Sequence, residues 1–386
     1  MRAKYFKGII AVAIVMMLCF CIVPQSYAQD THLTYQLVNY ADGTFSHNLN
    51  VVVPVSLNDY YHSLSHRSSS DTDFPKFVTP HVLQPVADCL RQIYPDDEDF
   101  ANGVLTLVHQ IPYEETLQAY YAVEVMLRNK GDCDLLSIIA ASVMIAGGLD
   151  VVLLHYMSEQ HMNIGVHLEE VPQDARSRVY SLTNKDVTYY VAECTCPNWQ
   201  QGWRVGECPN DLKDISVRIL PLTETEQVAP GQVSASFEKL EPTTIDLKIN
   251  PPFTTEGNSI TAQGQLSPNI SNQEVTLYCC FNGGSWEILS TVVSEKNGSF
   301  AYTWNSKTSG LLDIRASWNG NDQYAGTTSQ TGNTIIIPFY LIAITATAIT
   351  AVSICIIVFL RTRHKKPTTD SPPILPSPES PESQQP

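Results

Sequence analysis

The chemistry that this sequence suggests starts at Cys133, which stands directly ahead of a long apolar run, residues 135–146. A cysteine is a strong nucleophile only as the thiolate, and a helix N-terminus and a nearby imidazole both favour that form. Farther along the chain, His161 leads one strand-like segment and Glu193 ends another. A carboxylate that holds the imidazole in one tautomer completes such a system. We therefore predict Cys133 as nucleophile, His161 as base and Glu193 as the orienting acid.

Each of these residues also has an ordinary interpretation. Taken alone, Cys133 could be a small buried thiol and Glu193 an exposed carboxylate at a strand end. Among the other histidines, His155 lies inside an apolar run, which is typical of a core residue, and His167 follows His161 on the same strand face. We favour His161 as the base because it begins its strand after a polar stretch, close to solvent and substrate.

The order and spacing of the three motifs resemble the transglutaminase-like superfamily. That family has a Gly-x-Cys helix start, then a histidine leading a hydrophobic strand, then an acid followed after one residue by threonine. The matching segments here are residues 131–133, 161–166 and 191–195, within a stretch of about residues 80–210. This sequence has Glu193 where the family commonly has aspartate, and no aromatic residue directly after the histidine.

The resemblance implies a fold and an activity. It implies an α+β, papain-like domain in which a helix carries the cysteine and an antiparallel sheet carries the base and the acid. It implies acyl transfer or hydrolysis on protein or peptide amides, through a thioester on Cys133, without a cofactor or metal. The alternative is a catalytically inactive surface protein that keeps such a fold for binding or adhesion.

The two ends of the chain predict a cell-surface location. Three basic residues precede an apolar stretch, residues 8–23, and small residues follow, so we predict a cleaved signal peptide over residues 1–28; an uncleaved anchor is the alternative. Residues 335–360 carry no charge, which predicts one transmembrane helix. Four basic residues follow, which places the Pro- and Ser-rich tail, residues 361–386, in the cytoplasm as a disordered segment.

Between these ends the sequence predicts two globular units. Residues 29–221 form the transglutaminase-like domain, and residues 222–242 form a linker. Residues 243–332 contain short β-rich runs separated by Gly, Asn and Pro, which is typical of an immunoglobulin-like β-sandwich. We interpret this second unit as a spacer.

The amino-acid composition and net charge limit the kinds of molecule that this protein is expected to bind. The formal net charge of −16 disfavours nucleic acid and anionic lipid surfaces as ligands, so we expect a protein or peptide substrate outside the cell. The ten cysteines allow a Cys196–Cys208 bridge, or a zinc site that adds Cys194 to that pair. The acidic run of residues 96–99 fits the first turn of a helix, with a calcium loop as the alternative.

Overall fold

The computed structural model describes residues 30–39, 44–223, 225, 228–341 and 350–358. The predicted signal peptide (residues 1–28) and cytoplasmic tail (residues 361–386) lie outside these residues. Within the described ranges the α-helices with defined bounds are α1 Val55–Ser63, α2 Gln84–Ile93, α3 Asp97–His109, α4 Ala122–Arg128 and α5 Cys133–Ala146, and residues 339–341 and 350–358 are also helical. Short 3-10 helices lie at Asp71–Phe77, His81–Leu83 and Trp199–Gln201.

The strands of the described residues, in chain order, are β1 Thr31–Val38, β2 Phe45–Val53, β3 Val151–Tyr156, β4 His161–Val166, β5 Ser181–Asn184, β6 Val187–Ala192, β7 Arg218–Pro221, β8 Ser234–Ser236, β9 Thr244–Asn250, β10 Phe253–Thr255, β11 Ser259–Ser267, β12 Glu274–Phe281, β13 Glu287–Val293, β14 Ser299–Asn305, β15 Gly310–Gly320, β16 Ala325–Thr328 and β17 Gly332–Ile337. They form four sheets, with strand orders β1-β2-β8, β5-β6-β4-β3-β7, β14-β11-β9 and β10-β17-β15-β12-β13, the last with β16 added beside β15.

The predicted fold class is therefore wrong. The described chain consists mostly of strands in several sheets with few helices, which conflicts with a papain-like α+β domain followed by a transmembrane helix. The sequence analysis missed the sheet β1-β2-β8. Its strand β1 has one exposed polar face, and its strand β8 has only three residues and lies inside the predicted linker. Such short or half-polar strands are held by long-range pairing and leave a weak local signal.

The prediction of one transmembrane helix over residues 335–360 is contradicted at its start, and residues 342–349, 359 and 360 of this segment lie outside the described residues. Its first residues, 335–337, belong to strand β17, which pairs with β10 and β15. Isoleucine is β-branched and favours strands, so hydropathy alone misassigns this segment. Among the described residues, no helix combines the length and the apolar character needed to cross a bilayer.

The core around the candidate site is built by helix α5 against sheet β5-β6-β4-β3-β7. Most of α5 is buried, because its residues are apolar on nearly every side. It packs on β4 and β3, whose residues Leu153, Met162 and Ile164 are buried in the same cluster. Asp132 precedes the helix, and its side chain accepts a hydrogen bond from the Leu135 N–H (3.3 Å). This cap fixes where the helix begins and therefore where Cys133 lies.

The acidic run at residues 96–99 has a structural role. The Asp96 side chain accepts hydrogen bonds from the N–H groups of Glu98 (2.9 Å) and Asp99 (3.3 Å), and so caps α3. The Glu98 carboxylate in turn accepts from the N–H groups of Gln173 and Asp174. The acids in the first turn complement the positive end of the helix dipole.

The sheets formed by β9–β17 face each other around two apolar clusters, and they contact the preceding part of the chain directly. Arg315 of β15 is buried and donates from Nη1 to the Ser56 carbonyl of α1 (2.7 Å). Its guanidinium lies 5.7 Å from the ring centres of both Tyr60 and Trp286. The Ser56 hydroxyl donates to the Thr328 carbonyl (2.6 Å). These strands are thus attached to α1.

Candidate active site

Cys133 is the first residue of helix α5 and is almost fully buried, with a free thiol. Its sulfur lies 3.7 Å from Asp134 Oδ1 and 3.8 Å from the carbonyl oxygen of Gln160. Gln160 ends the turn between β3 and β4, so the start of α5 and the start of β4 meet at the thiol. A helix N-terminus provides partial positive charge at this position.

His161 is the first residue of β4, next to this turn, and bridges the thiol and the acid. Its Nε2–H donates to Glu193 Oε2 at 2.9 Å, and Cys133 is close enough to raise the pKa of its imidazole. Since Nε2 is occupied by the carboxylate, Nδ1 is the ring nitrogen left for the sulfur. The structure therefore brings Cys133, His161 and Glu193 together in the order nucleophile, imidazole, carboxylate. Their catalytic roles stay predictions.

Glu193 follows strand β6 and is fully buried. Oε2 accepts from His161 and from Asn163 Nδ2 (3.1 Å), whereas Oε1 accepts from the Thr195 N–H (2.8 Å) and the Thr195 hydroxyl (2.6 Å). Both carboxylate oxygens thus have two donors each. Although burial raises the pKa of this carboxyl, hydrogen bonds from His161 and Thr195 hold its pKa below the ordinary value.

The pKa of His161 is raised strongly. Burial alone would lower it, but hydrogen bonds and charge interactions with Cys133 and Glu193 outweigh burial and raise the pKa of His161 to about 10. The imidazole is then protonated at neutral pH, which is the partner that a thiolate requires. Asp134 lies on the other side of the sulfur, and burial together with the neighbouring Asp132 raises its pKa to about 6.

The pH dependence of the free energy of unfolding should report the interactions that shift the pKa values of His161 and Glu193. Because the pKa of His161 rises from 6.5 to about 10 on folding, its stabilisation is complete below pH 6.5 and is lost as the pH rises through about 10. Glu193 acts in the opposite sense, since its pKa is lowered and its stabilisation is lost as the pH falls. Urea unfolding from pH 6 to pH 10 should show wild type losing stability relative to His161→Gln. Parallel curves for the two proteins would contradict the raised pKa.

A second histidine holds the backbone of the acid. His109, at the end of α3, is buried and donates from Nε2 to the Glu193 carbonyl oxygen at 2.9 Å. Burial lowers the pKa of His109, so it is neutral, and its Nδ1 faces Gly202. His109 also lines a cavity of about 290 Å³, together with polar and aromatic residues that include Asn102, Trp199 and Trp203. None of the three triad residues lines this cavity.

Gly202→Ala should destabilise the protein at this point. Gly202 has an ordinary φ of −57°, so alanine fits the backbone, but its Cβ would lie 2.2 Å from His109 Nδ1. We expect a loss of about 1–3 kcal/mol in the free energy of unfolding, because a buried ring must move. Chemical denaturation measures this loss, and Gln200→Ala, at an exposed neighbouring side chain, is the control. Equal stability of wild type and Gly202→Ala would show that His109 has room to move.

The other sequence candidates are placed elsewhere. His155 Nδ1 lies 3.4 Å from Asp71 Oδ2, and His167 donates to the Thr188 carbonyl. Cys196 and Cys208 are both free thiols, so the bridge between them is absent from the described chain. Among the described residues no group of three or more His, Cys, Asp or Glu side chains is arranged to hold a metal ion.

The sequence analysis missed the residues that support the triad. Asn163 lies two positions after His161, so both side chains point to the same face of β4 and both reach Glu193. That two-residue spacing was a readable signal. Thr195 was part of the quoted motif but had no assigned role. His109 comes from a distant helix and gave no local signal.

Comparisons with known proteins add little to this geometry. No protein-family model matches the sequence, and no curated protein matches it. Among solved structures, a chitin binding domain from Burkholderia pseudomallei is 13% identical with a TM-score of 0.19, over 22% of this chain and 56% of that chain. The polysaccharide monooxygenase CBM33 is 15% identical with a TM-score of 0.18, over 22% of this chain and 59% of that chain.

A third structure, the alkylpurine DNA glycosylase AlkC of Pseudomonas fluorescens, is 11% identical with a TM-score of 0.19, over 24% of this chain and 30% of that chain. This chain thus spans less than two thirds of each of the three structures. Likeness at this level supports no conclusion about fold or function. The transglutaminase-like resemblance of the motifs therefore stays a prediction.

Proposed function

We propose that this protein is a thiol enzyme that cleaves or exchanges protein or peptide amides through a thioester on Cys133. The observation that supports the proposal most directly is the hydrogen bond of His161 to the buried Glu193 carboxylate (2.9 Å), with the Cys133 sulfur 3.8 Å from the carbonyl oxygen of the preceding residue, Gln160. The motif resemblance to transglutaminase-like enzymes supports the same reaction class. An extracellular location, as the first 28 residues predict, belongs to the same proposal.

The proposed reaction has two steps. The Cys133 thiolate attacks the amide carbonyl carbon, a C–S bond forms and the carbonyl oxygen becomes an oxyanion. We assign stabilisation of this oxyanion to the Cys133 N–H, which as the first helical residue has no carbonyl partner within α5. The C–N bond then breaks as the His161 imidazolium gives its proton to the leaving amine.

The second step releases the acyl group. Water or an amine attacks the thioester carbonyl and gives a proton to the neutral imidazole, and the C–S bond breaks to restore the thiolate. Water gives a carboxylic acid, and an amine gives a new amide. Glu193 keeps its Nε2 contact throughout, which holds the ring with Nδ1 toward the sulfur.

Active-site labelling tests the proposal. Purified protein is treated at pH 7 with limiting iodoacetamide, and modified peptides are mapped by mass spectrometry. We expect Cys133 to react first, because a thiolate–imidazolium pair is reactive at neutral pH and burial raises the pKa of Cys89, Cys194 and Cys208. A Cys133 that reacts no faster than these buried thiols would overturn the proposed function and favour the binding alternative.

A further inference from the structure

Two loops flank Cys133, and each exposes a large apolar side chain. The first, called here the rim loop, is residues 112–118; it presents Tyr113 and the fully exposed Leu117. The second, called the strand turn, is residues 157–160 between β3 and β4, and it exposes Met157. A chain bound across the start of α5 could bury these exposed apolar side chains.

The rim loop is fixed to the start of α5. The Glu114 N–H donates to the Gly131 carbonyl (2.9 Å), and the Gly131 N–H donates to the Pro112 carbonyl (3.1 Å). The Thr116 N–H donates to Asp132 Oδ2 (3.1 Å). Since Asp132 is also the cap of α5, one carboxylate holds both the rim loop and the helix start that carries Cys133. Tyr113 and Leu117 are thus presented from an anchored loop.

The strand turn contacts the start of α5 through Gln160. Its last residue, Gln160, has a left-handed φ of 49°, and its carbonyl oxygen accepts from the Cys133 thiol. Met157 stands at the opposite end of this four-residue turn. Both loops therefore contact the start of α5 that carries the thiol.

The charged side chains of the rim loop, the strand turn and the start of α5 are mostly acidic. Burial raises the pKa of the Tyr113 phenol, and the charges of Cys133, Asp132, Glu115 and Asp134 raise it further. Glu159 adds an exposed carboxylate in the strand turn. Two nearby cations, Lys130 and Arg128, both pair with Glu114 and so do not offset these groups.

We infer that the substrate is an extended peptide with a large apolar side chain and a basic side chain next to the scissile amide, bound between the rim loop and the strand turn. Leu117 and Met157 contact the apolar side chain, and Glu115 and Glu159 attract the basic one. This inference rests on the proposed function, because it assigns a substrate class to the same thiol.

Four acetylated dipeptidyl chloromethyl ketones test the inference: Leu-Arg, Gly-Arg, Leu-Glu and Gly-Glu. Each forms a C–S bond to Cys133 with loss of chloride, and intact mass follows the second-order rate. We expect Leu to exceed Gly by about tenfold and Arg to exceed Glu by about fivefold at low salt. Iodoacetamide, which is small and neutral, gives the reference rate of the thiol itself.

Two double variants test which side chains cause the preference for Leu and which cause the preference for Arg. The double variant Leu117→Ser, Met157→Ser should lose the preference for Leu, and Glu115→Gln, Glu159→Gln should lose the preference for Arg, with unchanged iodoacetamide rates. Ile288→Ser, an exposed apolar side chain of β13, is the matched control and should change neither preference. Equal rates for all four peptides, or preferences that survive in both double variants, would overturn this inference alone. A thiol inert to iodoacetamide would overturn the proposed function as well.

Discussion

Replacing Cys133 with serine should lower amide turnover by at least about a thousandfold, the scale seen when a catalytic nucleophile is lost. Serine is nearly isosteric with cysteine and keeps the helix start. Its hydroxyl is far less acidic than a thiol, however, and the His161 imidazolium can stabilise a thiolate but not generate an alkoxide. Turnover of a fluorogenic peptide amide, together with intact-mass detection of the acyl-enzyme, measures the loss.

The control for this variant is Cys196→Ser. Cys196 is half-buried, and its sulfur lies 3.0 Å from the Asn198 carbonyl oxygen. It should keep full turnover and full acyl-enzyme formation. If Cys133→Ser stays active, or if the acyl group is found on another cysteine, the nucleophile has been assigned to the wrong residue.

Replacing Glu193 with glutamine should lower turnover by about a hundredfold to ten-thousandfold. The carboxylate accepts four hydrogen bonds, and a carboxamide must turn its NH₂ group either toward His161 and Asn163 or toward Thr195. One pair of donors then loses its acceptor. The raised pKa of His161 should fall toward 6.5, so the alkaline limit of the pH–rate profile should move to lower pH.

Stability loss must be separated from this catalytic effect. Glu207→Gln is the matched control, because Glu207 is also a buried carboxylate and pairs with Arg176 Nη2 at 2.6 Å. Both variants should lose stability to urea, since each leaves buried donors without a charged acceptor. Only Glu193→Gln should move the pH–rate profile. A profile that stays at the wild-type position would show that Glu193 is structural.

The sequence was informative about the site because each triad residue begins or ends a regular element. The Gly-x-Cys start, the histidine that opens a strand and the acid that closes one are local signals, and they lead to three residues that meet in space. His109 and the rim loop gave no such signal. They reach the site from α3 and from an irregular segment, and only the folded backbone defines those contacts.

The fold was harder to predict for the same reason. Strand β8 has three residues and pairs with β2, which comes much earlier in the sequence. The hydrogen bonds between the two strands therefore form only when the chain folds. Strand β17 begins an uncharged run that average hydropathy assigns to a membrane helix. In both places the partner strand determines the structure, and a single segment of sequence does not contain that information.

The contact of Arg315 with α1 has a practical consequence for anyone who divides this protein. A fragment that ends near residue 242 would expose the Tyr60 ring, leave the Ser56 carbonyl without its cationic donor and remove the acceptor of the Ser56 hydroxyl. Helix α1 also packs on α4, which leads directly into the segment before Cys133. Shortening the protein to its thiol-bearing portion would therefore disturb the packing of α1 and α4 beside the start of α5. Activity should be assayed on a chain that retains strands β9–β17.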